Sequence, residues 1–178
     1  MHQPLCQRPT DRGGSLLDML VVLVIVMTLA SLMRPSLNRH ALEKKALAES
    51  QHLFQGLRRA RLAAMTQNLP TMACPSEDGA TCASLSEWHH GWMVFEDPRG
   101  LGQPNHPDDI LEVGGPSELL ILTSGSRKRT RFNPDGSAYG YNLTISACQK
   151  DDQIIQAEII VSNPGRVRWS AARHPLVC

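Results

Sequence analysis

Near the start of this chain lies an apolar run that limits what the rest can be. From Leu16 to Met33 eighteen consecutive residues carry one charge, Asp18, with Thr28 and Ser31 as the only further polar side chains. That is close to the ~20 residues a helix needs to cross a bilayer, so the run reads as a membrane helix. A removable secretory signal is the rival reading, with Arg8 and Arg12 as its basic start. No small-x-small cleavage pattern with a polar exit follows the run, however; Arg34-Pro35 leads into another helical stretch. A carboxylate drawn deep into lipid also costs about 2–3 kcal/mol. Asp18 therefore calls for a partner.

From Ser36 to about Gln67 there is no proline, and Leu42, Ala46, Ser50, Leu53, Leu57, Ala60 and Ala64 recur in steps of three and four. Such steps draw one stripe along a helix. With the apolar run, this predicts a helix of about 50 residues, roughly 75 Å long, with a bend at Pro35. The stripe is too short and too rich in alanine for a zipper, so packing of the helix on a sheet is expected. Arg58, Arg59 and Arg61 read as a solvated face.

After Asn68-Leu69-Pro70 the pattern changes to short β-like runs separated by turns. The expected strands are Thr71–Cys74, Gly91–Glu96, Ile110–Val113, Leu119–Thr123, Lys128–Phe132, Tyr141–Cys148, Glu158–Ser162 and Arg166–Ser170. Turn signals stand at 97–100, 133–136 and 163–165, and residues 97–109 read as a mobile loop. A long N-terminal helix followed by an antiparallel β domain is an α+β arrangement. At 178 residues the chain has room for one such domain plus an anchor. Its 42% hydrophobic content argues against disorder.

The formal net charge of +1 divides unevenly. Residues 36–66 carry six basic and two acidic groups, and residues 67–178 nine basic and thirteen acidic. A nucleic-acid partner would thus need a local basic patch, because the C-terminal part is acidic in bulk. Arg166 and Arg168 alternate along a strand and share a face; Arg127, Lys128, Arg129 and Arg131 make a second basic run. Arginines so placed can grip phosphates, or pair with acidic groups of the head or of a neighbouring subunit.

Of five cysteines, Cys6 precedes the apolar run, and Cys74, Cys82, Cys148 and Cys178 follow it. Four cysteines in an exported domain read as two disulfides with three possible pairings. Cys74–Cys82 with Cys148–Cys178 is the preferred one. A zinc site from Cys74, Cys82 and His89 or His90 is the alternative, though no CxxC pair supports it.

No catalytic constellation emerges, and no cofactor is expected. His89 and His90 have no nucleophile motif beside them and, on a strand, would point to opposite faces. Asp108-Asp109 lacks the spaced oxygen ligands of a calcium loop. GxSxG, HExxH and phosphate-loop patterns are absent.

Gly13-Gly14-Ser15-Leu16-Leu17-Asp18 followed by the apolar run resembles the prepilin signal, usually glycine, phenylalanine, threonine, leucine, any residue, glutamate. The resemblance implies a leader 1–13 removed between Gly13 and Gly14 by prepilin peptidase, a transmembrane segment 14–35, a stem 36–67 and a periplasmic head 68–178. Asp18 takes the place of the glutamate that meets a neighbouring subunit's N-terminal amine, and Pro35 that of the kinking proline. The departures are Gly14 for phenylalanine and the shorter Asp18.

Further on come Glu87-Trp88…Gly91-Trp92-Met93-Val94-Phe95-Glu96-Asp97, then Phe132-Asn133-Pro134-Asp135-Gly136, then Pro164-Gly165-Arg166-Val167-Arg168. In that order they are similar to the GspH/FimT family of minor pilins and pseudopilins. The family resemblance implies a type IV pilin-like fold and a structural subunit of a type II secretion pseudopilus, or of a type IV pilus tip or initiation complex. Its partners would be other pilins, the peptidase and the bacterial inner membrane. Gly165-Arg166-Val167-Arg168 also matches a GRxR motif associated with DNA uptake in FimT-type proteins, so double-stranded DNA bound by Arg166 and Arg168 is the alternative function. A membrane-anchored periplasmic enzyme is the remaining one.

Overall fold

A computed structural model describes residues 15–118, 120–150 and 155–172, with the backbone alone at 30–43, 46, 121, 155 and 156. Helix α1 spans Leu16–Gln67. It is shared by two compact units, one up to Ala41 and one from Leu42 onward.

In the first unit the described side chains from Leu16 to Leu29 are all exposed, the apolar ones among them. Among the described residues, no helix is long and apolar enough to cross a membrane. The described side chains stop at residue 29, part-way along the apolar run. Gly13 and Gly14 lie outside the described residues, and so does the side chain of Pro35.

The second unit carries eight strands among its described residues: β1 Thr71–Pro75, β2 Trp92–Glu96, β3 Ile110–Gly114, β4 Leu120–Thr123, β5 Thr130–Phe132, β6 Leu143–Gln149, β7 Ile155–Val161 and β8 Val167–Ala171. Each overlaps an expected strand. They divide between two four-stranded sheets, ordered β3-β2-β1-β5 and β4-β6-β7-β8, with antiparallel pairing throughout. The stripe of α1 buries Ser50, Leu53, Leu57, Ala60 and Ala64 completely, in one core with residues from both sheets. Burying each leucine contributes about 1.5–3 kcal/mol, and the alanines let the helix approach closely. Leu42 and Ala46, the upper end of the expected stripe, have no described side chains.

Trp92 shows why the fit is close. A Cβ on Gly56 of α1 would come within 2.3 Å of the indole, and one on Gly114 of β3 within 2.1 Å. Glycine inside a helix costs about 1 kcal/mol relative to alanine, and here it opens the slot that the ring fills.

A second cluster of Met72, Cys74, Cys82, Met93 and Phe95 lies apart from the main core, so β1 is buried along its whole length. Residues 97–109, read from composition as mobile, are tied down. Buried Asp97 accepts hydrogen bonds from the N–H groups of Leu101 (2.8 Å) and Gly102 (3.2 Å). Gln103 pairs with both the N–H and the C=O of Cys82. Composition showed the turn formers but not the buried carboxylate that organises them.

Candidate functional site

At its N-terminus α1 opens on Ser15 and Asp18, which cap its first turn. Leu17 N–H donates to Ser15 Oγ (3.4 Å), and Asp18 Oδ2 accepts from Ser15 N–H (3.1 Å). Reciprocal bonds of this kind satisfy donors that a helix start leaves free, and the carboxylate also suits the positive end of the helix dipole. Asp18, expected to meet a neighbouring subunit, thus has a local role within its own chain. The Ser-x-x-Asp spacing ahead of an apolar run was the available signal.

On the head, the basic residues sort themselves differently from the expectation. Gly165 (φ +76°) sits in the β7–β8 turn, where its N–H donates to Ser162 O (2.7 Å). A Cβ there would stand 1.7 Å from Gly136 O. That same carbonyl accepts from Arg61 Nε (2.9 Å), and Ala138 N–H donates to Asn163 O (2.8 Å). The turns at 133–137 and 162–166 and the helix therefore meet at one joint, and Gly165 is there because backbone fills the space of its side chain.

Arg166 and Arg168 are both exposed, while Val167 and Trp169 between and beyond them pack on the core. Trp169 Nε1–H donates to Ser50 Oγ (3.0 Å) on α1. The shared face is as expected, but only Arg166 lines the groove of about 600 Å³ formed with Arg58, Arg59 and Arg61. Phe54, Gln55, Leu62, Met65 and Val167 complete its described lining, which holds no acidic residue.

The helix arginines are not simply solvated. Arg58 stacks over Phe54, 5.6 Å from the ring centre. Arg59 makes a two-pronged bond to Glu112, with Nε 2.7 Å from Oε2. In the second basic run, Arg127, Arg129 and Arg131 donate to the carbonyls of Gly140, Gly102 and Asp97. These three side chains hold loops in place.

The disulfide Cys74–Cys82 is formed, spanning eight positions. This removes both thiolates from the zinc alternative. Cys148 is disulfide-bonded too, and its expected partner Cys178 lies outside the described residues. Asp108 and Asp109 serve the 3-10 turn at Pro107–Asp109. Asp109 Oδ2 accepts from the N–H groups of Asn105 and His106 (2.9 Å each), and Asp108 pairs with His106 (3.2 Å).

His89 and His90 overturn the expectation of opposite faces. They are the central residues of a turn closed by Gly91 N–H donating to Trp88 O (3.4 Å), not part of a strand. Turn geometry brings the rings together, their centres 4.2 Å apart. His90 Nε2 is 3.3 Å from Glu87 Oε2. Burial first, and the charge of His90 second, push His89 below its ordinary value, with Lys150 adding to them; the Leu122 backbone and Glu87 act the other way. Its Nδ1 is buried without a hydrogen-bond partner.

The family model described as type II transport protein GspH matches residues 49–165. The chain belongs to the GspH family. Membership makes it a structural subunit of the minor pilin and pseudopilin kind. Two crystal structures of the type IV minor pilin FimU of Pseudomonas aeruginosa (strain PAO1) share its fold. The form in space group P21 is 18% identical and superposes with a TM-score of 0.58, over 75% of this chain and 93% of that one. The form in space group P65 is 16% identical with a TM-score of 0.56, over 73% and 96%. A search of curated proteins finds no match. Neither the family nor the shared fold supports DNA as a ligand of this GspH-family chain.

Proposed function

We propose that this GspH-family subunit is made as a precursor held in the bacterial inner membrane by residues 14–35, with its head on the periplasmic side. Prepilin peptidase then removes residues 1–13, and the mature chain is drawn into a type II secretion pseudopilus or the tip or initiation complex of a type IV pilus. The match of the GspH family to residues 49–165 carries the reading. The exposed apolar side chains of residues 16–29 support it, because such a face needs lipid or neighbouring helices to cover it.

Cleavage between Gly13 and Gly14 would place a new amine one residue before the Ser15–Asp18 bond. Asp18 then has two claims on it: the N–H of its own helix start and the amine of a neighbour in the filament. The second contact is intermolecular and would be made on assembly, with Pro35 setting the line of the stem.

The test is mass spectrometry of the chain recovered from sheared filaments of cells that carry prepilin peptidase. A mature N-terminus at Gly14 is expected. An unprocessed chain absent from the filament fraction overturns the proposal.

A further inference from the structure

Among the described residues, one cluster of the head has the composition and geometry of a ligand site. Glu87, His89 and His90 each offer one donor atom, and the three atoms lie within 4.8 Å of one another. Two imidazoles and a carboxylate are a borderline donor set of the sort that takes zinc with an open fourth position. Ligands about 2.0–2.1 Å from a tetrahedral ion stand roughly 3.3–3.4 Å apart. The 3.3 Å between His90 Nε2 and Glu87 Oε2 is that spacing.

The backbone that presents these donors is pinned on every side. Trp88 is fully buried, its N–H donates to Leu122 O (2.7 Å), and its indole N–H donates to Ser124 Oγ (2.9 Å). Glu87 bridges to Thr123, and the C=O of His89 accepts from Ser117 N–H (2.7 Å). At Gly91 (φ +128°) a Cβ would stand 2.4 Å from Ser76 O, so this end of the turn packs backbone against backbone. A backbone held this way leaves only the side-chain torsions of the donors to be fixed on binding an ion. His89 Nδ1, buried and without a hydrogen bond, is a polar atom that the fold alone leaves unsatisfied.

We propose that Glu87, His89 and His90 form a binding site for one divalent transition-metal ion of the zinc class, with water in the remaining position. The site lies on the segment leading into β2 and uses none of the residues assigned to anchoring or processing.

Untagged full-length chain in detergent, stripped with EDTA and dialysed, is titrated calorimetrically with zinc chloride. One ion per chain is expected, with Kd below roughly 100 µM. His90→Ala and Glu87→Gln change exposed side chains and should each weaken binding at least about tenfold. Their melting temperatures in EDTA should match that of the unaltered chain, which separates a lost ligand from a lost fold. A cobalt(II) complex whose visible absorption disappears in His90→Ala would give the same answer spectroscopically. No binding by the unaltered chain, or unchanged affinity in the double variant His89→Ala/His90→Ala, overturns the proposal.

Discussion

Gly165 makes the close turn before Arg166 and Arg168, and what surrounds it requires a glycine there. Within Gly165-Arg166-Val167-Arg168 it reads as the opening of a basic ligand site, yet its Cβ position is occupied by Gly136 O at 1.7 Å. Gly165→Ala is therefore expected to cost roughly 2–4 kcal/mol, from left-handed backbone strain plus displacement of the 133–137 turn. That lowers Tm by about 5–10 °C. Gly125→Ala is the control, because open space surrounds its Cβ at a similar φ of +62°. Equal Tm losses in the two variants would contradict the joint described at Gly136.

His89 carries the prediction on acidity. Burial disfavours its charged ring, so below the ordinary value of 6.5 the unfolded chain binds more protons than the folded one. Its contribution to stability is complete above that pH and declines as pH falls below it. Melts in EDTA between about pH 7.5 and 5 should show this decline, and His89→Gln should flatten it. A ring that titrates at or above 6.5 by proton NMR would refute the assigned burial.

At the scale of elements, the stripe of α1 and the eight strands were legible because apolar spacing reports directly which face is buried. Two features were not. The 97–109 loop looks polar and loose in composition, and only the folded chain brings Asp97 beneath the amides of Leu101 and Gly102. The second cluster, under β1 and β2, is likewise closed by residues distant in sequence, with Cys82 linked to Cys74. Replacing both cysteines by serine should destabilise the head by about 2–3 kcal/mol, as expected for a short closed loop. Denaturant unfolding measures it. A midpoint unchanged from the disulfide-bonded chain would mean that Gln103 and the loop contacts hold this region unaided.

For the whole molecule, the exposed apolar side chains of residues 16–29 make one further expectation concrete. Full-length chain should stay with the membrane pellet through an alkaline carbonate wash, as an inserted helix does and a peripherally bound protein does not. Release into the supernatant would require a filament partner, not lipid, to cover that face.

Sequence by itself determined the α+β class, the order of elements and the GspH/FimT kinship, and left Cys74–Cys82 as one of three possible pairings. Each rests on periodicity, turn formers or motif order, which are local and one-dimensional. Only the tertiary structure decided that Arg166 joins the helix arginines while Arg168 does not. It also turned the second basic run into loop ties and brought Glu87, His89 and His90 together. The physical reason is common to all three. Where a side chain points depends on backbone geometry and on neighbours far along the chain, and the His89-His90 turn shows that one change from strand to turn reverses the answer.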